Sequence, residues 1–390
     1  MALRSKLPQV GTTIFTVMSR RAAELGAVNL GQGFPDYEID PRLGELVAQA
    51  MQEGYNQYAP MPGLPRLTAA IAAKIARRYA VNVDPEREIT VTVGATEAIF
   101  SSVQALVSAG DEVIVFDPAY DSYDGSVRLA GAACIHVPLQ PPHFRYDWER
   151  VSAVISPRTR LLIVNSPLNP GCTCLTAADL DALAAVLRGR DIHVISDEVY
   201  EHIVFDGIVH RSLLAHAELR TRTVAVFSFG KTLQATGVRV GYAVAPAGIT
   251  TELRKVHQYN TFTIATPLQQ AIACYLEERP DCGEGLGAFF AAKRDLLADA
   301  LRDSDLVLPP AEGSFFQLVD YAALSSVGDL DYAEELLTQA RVATIPLSVF
   351  YENPPPMTLL RLCVAKRDQT LIEAAARLVA HARGTARAAS

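Results

Sequence analysis

The chain has 390 residues, 49% of them hydrophobic, and a formal net charge of −8. This length leaves room for two domains and a large core, while the acidic excess argues against a nucleic-acid or anionic-membrane partner. No apolar run approaches the ~18–20 residues that a membrane span requires, and residues 1–6 lack the apolar segment of a signal peptide. We therefore expect a cytoplasmic protein that binds neither nucleic acid nor membranes.

The middle of the chain alternates short apolar runs with helical patterns. Apolar runs at residues 89–93, 112–116, 161–164, 193–196, 223–227 and 240–244 predict strands. One helix is predicted over 96–109, and another begins after Thr176, a typical N-cap residue, with Asp179 in its first turn. Nearly continuous apolar strands that alternate with helices predict an α/β fold, with a mostly parallel sheet covered by helices on both faces.

The character of the sequence changes after residue 285. Helical patterns at 291–301 and 371–382, with apolar runs at 313–319 and 359–364, predict a smaller α+β domain. We expect the N-terminal segment to pack with it. The predicted organisation is an N-terminal arm over 1–44 that forms part of the small domain, a large domain over 45–284 and a small C-terminal domain over 285–390.

Cysteine and histidine spacing gives little sign of a metal site. The six cysteines form no Cys-x-x-Cys pair, and the eight histidines form neither His-x-His nor His-Glu-x-x-His. Cys172 and Cys174 come nearest to a metal motif, but no histidine or further cysteine accompanies them. We expect no metal ion, and a chain of this size needs no disulfides.

Two polar residues at predicted strand ends are candidates for catalysis. Lys231 follows the apolar run 223–227 and lies among small residues, and Asp197 ends the run 193–196. Ligands bind parallel sheets at the carboxyl ends of the strands, and burial there lowers a lysine pKa toward the neutral amine that attacks carbonyls. An amine for a Schiff base and a carboxylate for a pyridinium nitrogen are what an enzyme dependent on pyridoxal 5′-phosphate (PLP) requires.

Seven motifs in the same order identify a family resemblance that spans nearly the whole chain. They lie at residues 5–15, 29–36, 56–60, 117–123, 139–144, 228–241 and 345–350. With them the chain resembles the fold-type I, class I/II PLP-dependent aminotransferases, and in particular the branch that holds the bacterial methionine aminotransferases and the kynurenine/glutamine aminotransferases. The resemblance implies a fold-type I PLP-dependent transferase whose large domain binds the cofactor.

The resemblance assigns roles around the cofactor ring. Lys231 would form the Schiff base and carry the proton between Cα and C4′, and Asp197 would keep the ring nitrogen protonated. Tyr200 and Asn169 resemble the pair that hydrogen-bonds the phenolic oxygen, and Tyr120 resembles the aromatic residue that stacks on the ring. Lys231, Asp197 and Tyr200 are the expected catalytic residues.

The phosphate requires hydrogen-bond donors. The Gly-Ala-Thr turn that contains Ala95 and Thr96 follows a strand and opens a helix, so its free backbone N–H groups suit a dianion. The resemblance adds the side chains of Ser228 and Arg239, and it implies that Tyr58 reaches the phosphate of the neighbouring subunit. The active sites would therefore be shared within a homodimer.

The substrate side of the site is also implied by the resemblance. Arg361, flanked by apolar residues, is expected to bind the substrate carboxylate with two hydrogen bonds, unless it belongs to a structural ion pair. The other expected substrate-binding residues are Gly33, Phe34, Asn169, Phe262 and Thr263, with Phe262 and Thr263 coming from the partner subunit. Kynurenine enzymes often carry histidine where we align Thr263, which weakens the kynurenine interpretation.

The predicted function is the transfer of an amino group from methionine, and from other large neutral or aromatic amino acids, to a 2-oxo acid by a ping-pong mechanism. One alternative is a kynurenine/glutamine aminotransferase with C–S β-lyase side activity, because a PLP carbanion with a leaving group at Cβ can eliminate. A PLP-sensing transcription regulator is a third class. Such regulators carry a basic winged-helix segment ahead of the aminotransferase-like domain, whereas here the resemblance starts almost at residue 1.

Overall fold

The structure is a computed structural model that describes residues 4–389. Its strands are, in chain order, β1 (Val28–Asn29), β2 (Ile89–Thr92), β3 (Glu112–Asp117), β4 (Ala133–Pro138), β5 (Thr159–Asn165), β6 (His193–Asp197), β7 (Thr223–Ser228), β8 (Gly241–Val244), β9 (Phe316–Asp320), β10 (Val342–Ala343), β11 (Ile345–Pro346) and β12 (Leu359–Cys363).

The helices flank these strands along the chain. They are α1 (Ile14–Leu25), α2 (Pro41–Gln52), α3 (Pro65–Tyr79), α4 (Gly94–Leu106), α5 (Ser122–Leu129), α6 (Trp148–Val154), α7 (Ala177–Leu187), α8 (Ala217–Arg220), α9 (Phe229–Thr232), α10 (Ala247–Asn260), α11 (Thr266–Glu278), α12 (Leu286–Leu301), α13 (Asp329–Glu335) and α14 (Asp368–Ala389).

A seven-stranded sheet forms the centre of the protein, in the order β2-β8-β7-β6-β5-β3-β4. The strands from β7 to β4 are parallel to their neighbours, and β8 runs antiparallel to both β7 and β2. The predicted α/β class, with a mostly parallel sheet, is confirmed.

Both faces of this sheet are buried, as the continuous apolar strands predicted. Successive residues of β5 point to opposite faces. Leu162 and Val164 belong to the hydrophobic cluster that includes the leucines of α7, whereas Leu161 and Ile163 belong to the cluster that includes Ile99 of α4. Helical layers on both sides explain why β5 needs no polar face.

Helix α7 begins where the sequence predicted. The Thr176 hydroxyl accepts a hydrogen bond from the Asp179 N–H at 3.1 Å, and the Asp179 carboxylate accepts one from the Thr176 N–H at 2.8 Å. This reciprocal pair is a capping box, which satisfies two otherwise free N–H groups. The indole N–H of Trp148 in α6 donates to the same Asp179 carboxylate at 2.9 Å, so the cap also ties α6 to α7.

The C-terminal part forms its own small sheets with help from the N-terminus. Strands β11, β12 and β9 make an antiparallel three-stranded sheet, and β1 pairs in parallel with β10. The N-terminal segment therefore joins the C-terminal part through backbone hydrogen bonds. The division at residues 44 and 284 stays a prediction, and helix α2 (Pro41–Gln52) continues across the first of these boundaries. Among the described residues, no helix is long and apolar enough to cross a membrane.

Candidate active site

A cavity of about 290 Å³ opens at the carboxyl ends of the central strands. Strands β5, β6 and β7 end there at Asn165, Asp197 and Ser228, which all line it. This is the position at which parallel sheets bind ligands, because the strands end together while the chain continues into loops and helix starts. The remaining lining residues are Phe15, Gln32, Gly33, Ala95, Thr96, Ile99, Tyr120, Tyr123, Asn169, Val199, Tyr200, Lys231, Arg239, Phe316 and Arg361.

The Lys231 amine points into this cavity from the short helix α9 directly after β7. Its Nζ donates to the carbonyl of Gly33 at 3.3 Å and lies 4.6 Å from the ring centre of Phe315 and 5.6 Å from that of Tyr200. Burial lowers the pKa of Lys231 to about 8, so the amine is neutral far more often near neutral pH than an exposed lysine is. A buried amine of this kind is suited to attack a carbonyl.

Gly33 allows the chain to approach the lysine closely. A Cβ atom at this position would lie 2.8 Å from the ring of Phe316, which is shorter than van der Waals contact. A side chain at Gly33 would therefore force this segment or the Phe316 ring to shift, so glycine permits the close packing of the segment here.

Asp197 is buried, with 5% of its surface exposed. One carboxylate oxygen accepts a hydrogen bond from the Tyr123 hydroxyl at 2.5 Å, and the other accepts one from the Val199 N–H at 3.3 Å. Burial raises the pKa of Asp197 to about 6 even though both hydrogen bonds oppose that rise. A carboxylate so poorly solvated has a strong preference for a cationic partner, such as a protonated ring nitrogen.

Helix α4 presents its N-terminus to the opposite end of the cavity. Gly94 has φ +68°, and no side chain caps the helix at Val93, so the N–H groups of Ala95 and Thr96 are available. A Cβ at Gly94 would lie 2.7 Å from a guanidinium nitrogen of Arg239, so the glycine leaves room for that cation. Free N–H groups, the helix dipole and an arginine together form a cradle for a dianion.

Arg361 on β12 is 2% exposed and is held by neutral groups. Its two terminal nitrogens donate to the Asn169 side-chain oxygen at 2.8 Å and to the Gly31 carbonyl at 3.0 Å, whereas Nε has no hydrogen-bond partner among the described residues. Burial lowers its pKa to about 10. None of the ion pairs found among residues 4–389 includes Arg361, so a structural ion pair does not explain this buried cation and its charge is available to a ligand.

Three phenylalanine rings surround the Arg361 guanidinium. The guanidinium carbon lies 3.9 Å from the ring centre of Phe316 and 5.1 Å from those of Phe15 and Phe350. Such rings attract a cation and exclude water. Because water is excluded, the guanidinium attracts a carboxylate more strongly.

Comparisons with known proteins identify the family. Residues 26–379 match the family described as aminotransferase class I and II. The chain is 51% identical to the methionine aminotransferase of Escherichia coli K12, over 96% of this chain and 97% of that protein. The crystal structure of YbdL from E. coli, for which a methionine aminotransferase function was identified, superimposes with a TM-score of 0.96 at 50% identity and covers 97% of this chain and 100% of the other.

The chain belongs to the class I and II aminotransferases. More distant members include the N-succinyldiaminopimelate aminotransferase of Mycobacterium tuberculosis, which is 38% identical over 96% of this chain and 97% of that protein, with a TM-score of 0.94 for its structure. The kynurenine–oxoglutarate transaminase of Dictyostelium discoideum is 30% identical over 93% of each chain.

Aminotransferases of this family depend on PLP, and the residues of the cavity fit that cofactor. The α4 N-terminus with Ser228 and Arg239 fits a phosphate, Lys231 fits an aldehyde, and the buried Asp197 carboxylate fits a pyridinium nitrogen. These three groups lie at different places in one cavity, as a flat ligand with three different polar groups requires.

Four predicted site residues lie outside the cavity of the single chain. Tyr58 is 85% exposed, and its ring packs edge-on against Phe262 with 5.6 Å between ring centres. The Thr263 hydroxyl donates to the Pro60 carbonyl at 3.2 Å. Phe34, also predicted to line the substrate pocket, is instead half-exposed and lies against the Lys366 amine.

Several lining residues received no role from the sequence, among them Tyr123 and Gln32. Tyr123 follows Tyr120 in the 117–123 motif, yet nothing in the sequence connects it with Asp197, which is 74 residues away. Gln32 lies beside Gly33 and is held by the Phe15 carbonyl at 3.2 Å and the Ser19 hydroxyl at 2.6 Å. The available signal was its position within the motif at residues 29–36.

Proposed function

We propose that this aminotransferase moves the amino group of methionine, and of other large neutral or aromatic amino acids, to a 2-oxo acid in a ping-pong cycle with PLP as its cofactor. The single observation that carries the proposal is the distribution of cations in the cavity. Arg239 would hold the phosphate and Lys231 the aldehyde, which leaves Arg361 as the only other arginine that lines the cavity within residues 4–389. One clamp accommodates the α-carboxylate and leaves none for a second carboxylate.

The surroundings of Arg361 agree with a large uncharged side chain. Phe15 and Phe316 line the same cavity and offer apolar ring surface. A methionine thioether gains favourable contact with aromatic edges, whereas an ionised side-chain carboxylate buried beside those rings would lack compensation and cost several kcal/mol. The 51% identity to a methionine aminotransferase supports the same choice.

The residues of this chain divide the work. When bound, PLP supplies an electron sink that stabilises negative charge at the substrate Cα. Arg361 and Asn169 would orient the substrate carboxylate, and the Lys231 amine would hold the aldehyde of the cofactor and carry the Cα proton. Asp197, oriented by Tyr123, would keep the ring nitrogen protonated. The phenylalanines around Arg361 exclude water, so each charge acts in a medium of low dielectric constant.

We propose further that the enzyme is a cytoplasmic homodimer with shared active sites. Tyr58 and Phe262 form an exposed aromatic pair next to the loop that contains Thr263. Large exposed aromatic side chains that touch each other are unusual on a monomer surface and are typical of an interface. In a dimer they would supply the phosphate contact and the pocket wall that the single chain lacks.

A panel of amino donors with one common acceptor tests the substrate assignment. The quantity to measure is kcat/KM of the holoenzyme for methionine, phenylalanine, glutamine, kynurenine, N-succinyldiaminopimelate and aspartate. We expect methionine to rank first and aspartate at least about a hundredfold lower, which corresponds to roughly 3 kcal/mol. Lys231→Ala, which lacks the amine but keeps the phosphate cradle, is the inactive control.

The outcomes separate the substrate from the reaction. Aspartate equal to methionine would refute the pocket assignment, and glutamine or kynurenine in first place would favour the kynurenine/glutamine alternative while leaving the mechanism intact. Release of pyruvate from a cysteine conjugate without added 2-oxo acid would reveal β-lyase activity. Transamination by Lys231→Ala near the wild-type rate would contradict the function as a whole.

A further inference from the structure

Three side chains of metal-ligating type meet outside the active-site cavity. Cys134 and His136 are two residues apart on the edge strand β4, so they point to the same face of the sheet. Helix α5 packs across that face and brings Asp124 to them. The Cys134 sulfur, a ring nitrogen of His136 and a carboxylate oxygen of Asp124 all lie within 4.8 Å of one another.

Two of these ligand atoms have no hydrogen-bond partner. Nε2 of His136 and Oδ1 of Asp124 are both buried and unpaired within the part of the chain that the structure describes. They are 3.6 Å apart, which is longer than the 2.7–3.2 Å of a good hydrogen bond. Two ligands at ~2.1 Å from one zinc ion, at the tetrahedral angle, would be about 3.4 Å apart. The separation is therefore close to the spacing of two ligands on one ion.

The outer faces of the same residues are already held in place. Nδ1 of His136 lies 2.8 Å from Oδ1 of Asp117, a pairing that fixes the ring and turns Nε2 toward the cluster. Oδ2 of Asp124 accepts a hydrogen bond from Nε of Arg128 at 2.5 Å, which leaves Oδ1 facing inward. Ligands of a metal ion commonly have such outer partners, because these set the orientation of the inner atoms.

We propose that Asp124, Cys134 and His136 bind one divalent cation of the zinc class, with water as the fourth ligand. A set of one sulfur, one nitrogen and one oxygen suits zinc or cobalt, whereas calcium and magnesium prefer oxygen alone. A carboxylate and a thiolate would together neutralise the ion. A neighbouring cavity of about 480 Å³, lined by Asp124, Arg128 and residues 6–10 among others, gives water access to this edge.

A metal ion must displace any proton on the Cys134 sulfur and on Nε2 of His136 before it binds. The ion would tie β4 to α5 and, through Asp117, to the segment that leads to Tyr120.

Cobalt binding to the holoenzyme tests the proposal. Protein treated with a chelator and dialysed should bind one Co²⁺ per chain in equilibrium dialysis, with the visible absorption bands of a four-coordinate, thiolate-bound ion, and Zn²⁺ should abolish those bands. Cys134→Ser, Asp124→Asn and His136→Gln should each weaken binding by at least tenfold. Cys274→Ser removes a cysteine outside the cluster and should bind as the wild type does.

Each outcome decides for or against the site. Less than one ion per chain at saturation, thiolate bands that persist in Cys134→Ser, or equal affinity in all variants would overturn the proposal. A second measurement requires no variant: Zn²⁺ should raise the unfolding temperature of the wild type, because a ligand that binds only the folded state stabilises it. The absence of any rise at saturating Zn²⁺ would likewise count against the site.

Discussion

Burial changes the ionisation of three residues at the candidate site. It lowers the pKa of Lys231 to about 8 and that of Arg361 to about 10, and it raises that of Asp197 to about 6. The lysine and the aspartate are both shifted toward their neutral forms, because water is scarce around them. Perturbed groups of this kind are typical of active sites, and here they occur in a single cavity.

The pH dependence of the Lys231 amine follows directly. In the apoprotein, only the neutral amine reacts with cyanate, and its fraction increases as the pH rises through the pKa. We expect the carbamylation rate of Lys231 to be half-maximal near pH 8, whereas an ordinary lysine is half-neutral only near pH 10.4. Mass spectrometry of the Lys231 peptide across this range measures it. A midpoint above pH 10 would mean that burial does not control this amine.

Variants at Asp197 and Tyr123 should differ in severity. Asp197→Ala removes the carboxylate and should raise the activation barrier by roughly 3–5 kcal/mol, which lowers kcat by a factor of a hundred or more. Tyr123→Phe keeps the carboxylate and removes one hydrogen bond to it, which is worth about 1.5–3 kcal/mol. Steady-state rates, with cofactor content checked by absorbance, show which of the two variants loses more activity. A loss below tenfold in Asp197→Ala would exclude the proposed role.

The sequence predicts roles for Lys231, Asp197 and Arg361 because each follows, ends or interrupts an apolar run, which is a local pattern. Tyr123 could not be identified in this way, since its role depends on a hydrogen bond to Asp197 across the sheet. The role of Phe34 stays a prediction: an apolar residue next to Gly33 gives no indication of which way its ring turns, and in the single chain the ring lies against the Lys366 amine.

Among the secondary-structure elements, the N-termini of two helices differ in how their free N–H groups are used. Helix α4 begins with uncapped N–H groups at the cavity, while α7 begins with a full capping box. An N-terminus that must bind an anion cannot be closed by its own side chain, whereas one with only a structural role can. The contrast agrees with the proposal that α4, and not α7, would hold the phosphate.

The capping box predicts a stability change with no effect on catalysis. Thr176→Ala removes the hydroxyl that caps Asp179 and should reduce the free energy of unfolding by about 1 kcal/mol. Thr251→Ala, on an exposed position of α10, is the matched control and should stay within about 0.5 kcal/mol of the wild type. Urea unfolding at one fixed protein concentration measures both. Equal stability of the two variants would show that the cap contributes nothing.

Helices and strands were predicted well where their apolar period was clear. The packing of one element on another was not predicted. Six of the seven strands of the central sheet begin and end within two residues of their predicted bounds, whereas the partly exposed edge strand β4 was not predicted. The sequence does not predict the cluster of Asp124, Cys134 and His136. Two of these residues, Cys134 and His136, lie two positions apart on an edge strand, and Asp124 comes from the preceding helix. Only the packing of α5 on β4 reveals the cluster.

In the whole molecule, the exposed aromatic pair of Tyr58 and Phe262 supports the proposal that each active site is completed by the partner subunit. Lys231→Ala and Tyr58→Ala should both be inactive alone, yet a mixed dimer would contain one site with both residues intact. Random exchange of subunits should then restore about a quarter of wild-type activity. Activity after mixing and refolding measures this, and no recovery despite demonstrated exchange would contradict shared sites.

The single tryptophan of the chain, Trp148, occupies an informative position. Its ring stacks on Tyr146 with 5.2 Å between centres, and the Tyr146 hydroxyl donates to the carbonyl of Asn165 at the cavity. Its indole N–H donates a hydrogen bond to the Asp179 carboxylate of the α7 capping box. Tryptophan fluorescence therefore comes from one position between that cap and the Asn165 carbonyl at the cavity. Emission from the unlabelled protein can thus report both ligand entry and loss of the cap.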